Sequence, residues 1–211
     1  SKGSTSEPHV VVLVPNDATE FPLRFLATEQ PKAGPNQTHV HLTSATPDEQ
    51  AATVARALSL GARHLDVGQL PDEGHVVLAD PEGNEFCVIE AGNGFLAGCG
   101  FLAELAGDGG PEVGRFWSAA LGWPLFWDQD EETAIQSPQG GAKVAWGGPP
   151  DAPKTSRNRM HLALAPTGGD QQAEVDRLLA LGASYDDAGR SADGRVALLD
   201  PGGNEFCLLP D

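Results

Sequence analysis

The chain has six histidines, and two of them stand in matching surroundings. His41 lies in the run Val-His-Leu at 40–42, and His161 in Met-His-Leu at 160–162. Both runs are short and apolar, as expected of strands. Side chains alternate between the two faces of a strand, so His39 and Thr43 share a face with His41. An imidazole there can ligate a divalent cation such as Zn, Ni, Fe or Mn, carry a proton, or simply be held by hydrogen bonds. The four tryptophans, Trp117, Trp123, Trp127 and Trp146, are confined to one stretch of the chain. Trp127 and Trp146 lie on or near strand patterns, where a flat side chain lines a cup and stacks on a ligand, or fills a core. Ser137 and Ser156 have no activating motif around them, and no glycine-rich loop follows a strand to cradle phosphate.

The elements that must position these side chains form an internal repeat. Asp-Pro-x-Gly-Asn-Glu-Phe-Cys occurs at 80–87 and again at 200–207. His41 aligns with His161 and Asn84 with Asn204, both 120 residues apart (161 less 41, 204 less 84). Each copy runs from the histidine strand through a polar helix start, at Thr46 or Asp170, into an amphipathic helix. Leu-Gly-Ala ends both helices, with Gly61 and Gly182 suited to a left-handed stop. Two strands follow, joined by the Pro and Gly-Asn turn of a hairpin. Strands are also expected at 10–14, 23–28, 133–136 and 142–146. Only the second copy shows a further strand at 99–106 and a helix at Pro111–Leu121, started by proline and carrying an apolar stripe of Phe116, Trp117 and Leu121. The first copy is expected to lack both.

Composition narrows the partners. Of 211 residues, 13 are Lys or Arg and 30 are Asp or Glu, for a net charge of −17. Such a field repels phosphate backbones and anionic lipid, so neither nucleic acid nor a membrane is an expected partner. A 40% hydrophobic content supports an ordinary core. The three cysteines form no metal or redox pair motif, which suggests reduced thiols and a cytoplasmic setting. Residues 1–9 are small and polar, read as a tail or an expression remnant rather than a signal peptide.

The order of strand, helix ending Leu-Gly-Trp, strands, His-Leu strand, helix ending Leu-Gly-Ala and Asp-Pro-x-Gly-Asn hairpin resembles the vicinal oxygen chelate superfamily. That superfamily comprises glyoxalases, bleomycin resistance proteins and extradiol dioxygenases, and the match is to tandem glyoxalase-like domains. The resemblance implies an α+β fold of tandem βαβββ repeats forming two cup-shaped mixed sheets, the first module lacking its initial strand and helix. The expected units are 10–95 and 96–211. It also implies positions for metal ligands: His41 and His161 fit one, and Glu90 another, with Pro210 as its counterpart. The remaining positions fall near Leu102, near Arg24 in the first module and near Val144 in the second, none of which is a ligand. His39, His41 and Glu90 then form a conceivable metal site, while an Arg24–Glu90 ion pair would account for both charges without one.

Two functions stay open. One is binding of a small, aromatic molecule in an apolar cup without a full metal site, using His41, Thr43, Glu90, Arg24, Trp127, Trp146 and His161. The other is a metal-dependent lyase, isomerase or dioxygenase using His41 and Glu90. A divalent metal is the conceivable cofactor, not the favoured one, and a homodimer is the conceivable assembly.

Overall fold

The computed structural model describes residues 10–16, 21–70, 72–148 and 154–211. In chain order it contains β1 (Val10–Leu13), β2 (Leu23–Leu26), β3 (Thr38–Leu42), α1 (Pro47–Ser59), β4 (Arg63–His64), β5 (Val76–Ala79) and β6 (Glu85–Val88). The second copy continues with β7 (Leu102–Gly107), α2 (Pro111–Leu121), β8 (Leu125–Gln129), β9 (Glu132–Gln136) and β10 (Lys143–Gly147). It ends with β11 (Leu162–Leu164), α3 (Gln171–Leu181), β12 (Ser184–Arg190), β13 (Val196–Leu199) and β14 (Glu205–Leu208).

The helices begin and end on the expected residues. The Thr46 hydroxyl accepts from the Glu49 amide at 3.1 Å, meeting one orphan donor at the start of α1, and the Glu49 carboxylate reaches back to accept from the Ala45 amide. Asp170 caps α3 by accepting from the Ala173 amide. Gly182 takes φ 116° and stops that helix in the left-handed region.

The strands assemble in an order that crosses the sequence repeats. β4, β5, β6 and β3 of the first copy continue directly into β7, β10, β9 and β8 of the second, making one eight-stranded sheet. The join is β3 against β7, antiparallel, while β3–β6 and β7–β10 are parallel. The sheet therefore has two βαβββ halves related about its centre. β11, β14, β13 and β12 form a separate four-stranded sheet, and β1 and β2 a two-stranded one. Hydrogen bonding thus runs across the 95/96 division that separates the sequence copies.

The main core lies between α2, α3 and the two larger sheets. Val113, Phe116 and Trp117 from α2 meet Ile135, Val144 and Trp146 from the eight-stranded sheet. Val175, Leu178, Leu198 and Phe206 complete the cluster from the four-stranded side. α2 approaches β9 very closely at Gly114, where an added Cβ would lie 2.1 Å from the Thr133 Oγ1. A second, smaller core of Val77, Cys87, Ile89, Leu96 and Ala103 lies on the opposite face of the eight-stranded sheet, under the connector from β6 to β7.

The structure corrects one alignment. The sequence pairs His41 with His161, but His41 lies opposite Cys87 while Ala163 lies opposite Cys207. The Ile89 amide donates to the Leu42 carbonyl, and the equivalent Leu209 amide donates to Leu164. His161 therefore corresponds to His39, not to His41. Contacts before the strand agree: Lys32 pairs with Glu85, and Lys154 with Glu205, each at 2.6 Å. A two-residue slip preserves which face each side chain occupies, so the His-Leu match at the wrong offset had no penalty in the apolar pattern.

Candidate functional site

Strand register places one row of polar side chains across the eight-stranded sheet. Cys87 on β6 is opposite His41 on β3, His41 is opposite Glu104 on β7, Glu104 is opposite Lys143 on β10, and Lys143 is opposite Gln136 on β9. Cross-strand partners share a face. It is the face away from α2, since Val144 and Ile135, the neighbours of Lys143 and Gln136, pack into the α2 core. Two members of the row are charged and buried: Glu104 is 5% exposed and Lys143 1%. Such groups are rarely buried without partners.

The partners are specific. His41 Nδ1 is 2.5 Å from Glu104 Oε2, and His41 Nε2 is 2.9 Å from His39 Nε2. Burial opposes charge on His41, but hydrogen bonds to Cys87 and Glu104 outweigh it and raise its pKa to about 9. Burial, and then the neighbouring His41, lower His39 to about 4. At neutral pH His41 is therefore an imidazolium, donating from Nδ1 to the carboxylate and from Nε2 to a neutral His39. Lys143 Nζ donates to the Phe95 carbonyl and sits 3.9 Å from the centre of the Phe126 ring and 4.7 Å from that of Phe95. Both rings lie within cation–π reach.

The connector from β6 to β7 forms a roof over this row. Phe95 meets Phe126 edge-on at 5.8 Å and Trp127 at 6.5 Å, and Leu96 is buried beside Cys87. Two of the residues singled out from sequence tether this roof. Thr43 donates its hydroxyl to the Gly100 carbonyl at 2.8 Å. Glu90 accepts from the Asn93 side chain at 3.0 Å, and Asn93 in turn accepts from the Leu96 amide.

The structure brings His41, Thr43, Glu90 and Trp127 to this face and its roof, and places the other three elsewhere. Trp146 is 5% exposed and stacks on Trp117 at 6.3 Å in the main core. His161 is exposed at the start of the four-stranded sheet. Arg24 is exposed on β2 and makes no ion pair with Glu90. Instead Arg24 acts on Cys207, whose thiol is pushed up by burial against the fields of Arg195 and Arg24. In the four-stranded sheet Ala163 occupies the place of His41, so the two copies share a scaffold but not this row.

Glu104 and Lys143 were missed from sequence. The first-strand ligand position of the second module was expected near Leu102; the residue of that strand opposite His41 is Glu104, with a register shift between His41 and Leu42. Lys143 is the neighbour of Val144, the residue the pattern indicated, and points to the other face. The available signal was a single charge inside each of two apolar strands, Leu-Ala-Glu-Leu-Ala and Lys-Val-Ala-Trp.

A βαβββ pair joined at the centre of one sheet, with polar side chains on its open face, defines a class of fold that the comparisons name. The family model described as a glyoxalase-like domain matches residues 3–89 and 108–209. The chain belongs to the glyoxalase-like domain family, within the vicinal oxygen chelate superfamily. Among solved structures, it is similar to glyoxalase I from Zea mays, with a TM-score of 0.60 and 16% identity over 95% of this chain and 77% of that one. A V278E mutant of the same maize protein gives a TM-score of 0.55 at 16% identity, over 82% of this chain and 66% of that one. Half of the chain also aligns with FosX, a fosfomycin resistance protein from Mesorhizobium loti, at 20% or less: 13% identity, a TM-score of 0.40, and 52% and 88% coverage. No curated protein sequence matches the chain. At these identities the structural likeness establishes the fold. Among the described residues, no helix is long and apolar enough to cross a membrane.

Proposed function

We propose that the chain binds a small aromatic molecule bearing an anionic or carbonyl oxygen, on the open face of the eight-stranded sheet. The observation that carries this is Lys143. A buried ammonium is costly unless its donors are matched, and here it is met by one carbonyl and two aromatic faces, all on the connector or the edge strand. Phe95 thus occupies the place a ligand would take, presenting a ring to Phe126 and Trp127 and an oxygen to Lys143. A ligand of that chemistry displaces the Phe95 roof, and Thr43 and Glu90 hold the two ends of the connector while it moves.

The reading through a metal-dependent enzyme using His41 and Glu90 has less support, because the Glu90 carboxylate is engaged by Asn93. A homodimer belongs to the same proposal, supported by Val11, Leu13 and Phe25, each more than half exposed on the β1–β2 hairpin. So does a cytoplasmic setting, supported by the buried thiols of Cys87 and Cys207.

The test is titration with naphthoate, followed by tryptophan fluorescence and calorimetry, on the natural chain and on Lys143→Met. Saturable binding that Lys143→Met weakens at least tenfold supports the proposal. Equal binding by both proteins, or none by either across a panel of aromatic acids and phenols, overturns it.

A further inference from the structure

We propose that Cys87, His41 and Glu104 form a thiol–imidazole–carboxylate triad in which Cys87 is a nucleophile toward conjugated aryl carbonyl compounds. The inference rests on the displaceable Phe95 roof proposed above, because Cys87 is buried with Leu96 beneath it.

The triad follows from register. Cys87 on β6 and Glu104 on β7 are the cross-strand partners of His41 on β3, one on each side, so the three side chains share a face. The Cys87 sulfur lies within 4.8 Å of one ring nitrogen each of His41 and His39. The Cys87 and His41 side chains are hydrogen-bonded, and His41 Nδ1 is 2.5 Å from Glu104 Oε2. A nucleophile beside a base, with the base oriented by a third group, is the arrangement that activates an otherwise weak nucleophile. An imidazolium beside a cysteine favours the thiolate, the reactive form. The other groups around the pair do not compete. His39 is neutral at neutral pH, Lys143 stands beyond Glu104 on β10, and Glu90 at the end of the roof is held by Asn93.

The four-stranded sheet provides an internal control. Cys207 holds the place of Cys87 after the duplicated hairpin and is equally buried, 7% exposed against 6%. Ala163 is opposite it, so it has no imidazole across the strand, and burial pushes its thiol up. The two thiols match in position and cover and differ in the residue they face.

The substrate class follows from the ligand proposed for this face, an aromatic ring with a carbonyl oxygen. Joined through a carbon–carbon double bond, ring and carbonyl make an electrophile. The Cys87 sulfur pair forms the S–C bond at the β-carbon, and the double-bond pair moves through the carbonyl to oxygen. The proton that left the thiol is held by His41 and passes to the α-carbon. Thiol and enone give a thioether, with nothing else consumed.

The experiment treats the full chain with 4-phenylbut-3-en-2-one and follows each cysteine by peptide mass spectrometry. Cys87 should be alkylated roughly tenfold or more faster than Cys207. His41→Gln should slow Cys87 by about 100-fold or more and leave Cys207 unchanged. Glu104→Gln should slow Cys87 less and move the rise of its rate to higher pH, a shift that a merely structural role would not give. Circular dichroism confirms folding, and Glu104→Gln carries the test where His41→Gln does not fold. Cys87 reacting no faster than Cys207, or undiminished reaction in the folded variants, overturns the triad. Naphthoate binding without selective alkylation would sink the nucleophile alone, and selective alkylation without naphthoate binding would sink the oxyanion reading alone.

Discussion

Truncating Glu104 to alanine removes the carboxylate from a buried imidazolium. Two responses are open to metal-free protein. If His41 keeps its charge, an uncompensated buried cation costs about 3–5 kcal/mol. If His41 gives up its proton, the cost is the stabilisation that its raised pKa represents. The rise from an ordinary 6.5 to about 9 corresponds to roughly 3 kcal/mol. Cys87 contributes part of that rise, and the His41 side chain is 18% exposed, so the share of Glu104 is about 2 kcal/mol. Deprotonation is the cheaper response and sets the effect. The sign in pH follows from the raised value. The contribution is fully present below pH 6.5 and is lost as pH rises through about 9. Urea denaturation of chelator-treated natural chain and Glu104→Ala, from pH 6 to 9.5, should give a stability difference near 2 kcal/mol that shrinks toward the alkaline end. A difference that is constant with pH would refute the charge argument, and one below about 0.5 kcal/mol would refute the pairing itself.

Other perturbations test other parts of the account. Gly114→Ala drives a methyl into Thr133 between α2 and β9, and should destabilise by about 1–3 kcal/mol in urea denaturation, with Thr133→Ala recovering part of the loss. Lys143→Met replaces a buried charge with an apolar side chain of similar length, so stability should be unchanged or higher by thermal denaturation even as oxyanion binding falls. Arg157 holds the Asp186 carboxyl below its ordinary value, first by hydrogen bonding and against burial. Its contribution is present above the ordinary carboxylate range and lost as pH falls through the lowered value, so the natural chain should lose more stability than Asp186→Asn between neutral pH and pH 3. Light scattering of the natural chain against Phe25→Asp tests the homodimer: a dimer converted to monomer supports it, and two monomers contradict it.

The repeat made the fold legible, because each copy announces its helix caps, its Leu-Gly-Ala stop and its hairpin turn locally. Thr46 and Gly182 took up the roles their types suggest. Pairing between copies was not legible. That β3 joins β7 depends on long-range register, which local periodicity does not encode. Two slips of two residues followed from the same cause. Matching His161 to His41, and placing the ligand position of the second module's first strand near Leu102 rather than at Glu104, each preserved the facing of the side chains and so left the apolar pattern satisfied. Trp146 was ambiguous for a different reason. A tryptophan on a strand suits either a cup or a core, and its neighbour Trp117 on α2 decides for the core. Cys87 was read only as a reduced thiol because its proximity to His39 and His41 exists only once β6 and β3 are side by side.

The central claim is that residues from both sequence copies build one site on the eight-stranded sheet. Amide and side-chain NMR shifts during a naphthoate titration test it most directly. The account predicts the largest shifts at His41 and Cys87 from the first copy together with Glu104, Lys143 and Trp127 from the second, with Phe95 moving as the roof opens. Shifts confined to the four-stranded sheet around Ala163 and Cys207, or to residues of a single copy, would contradict it.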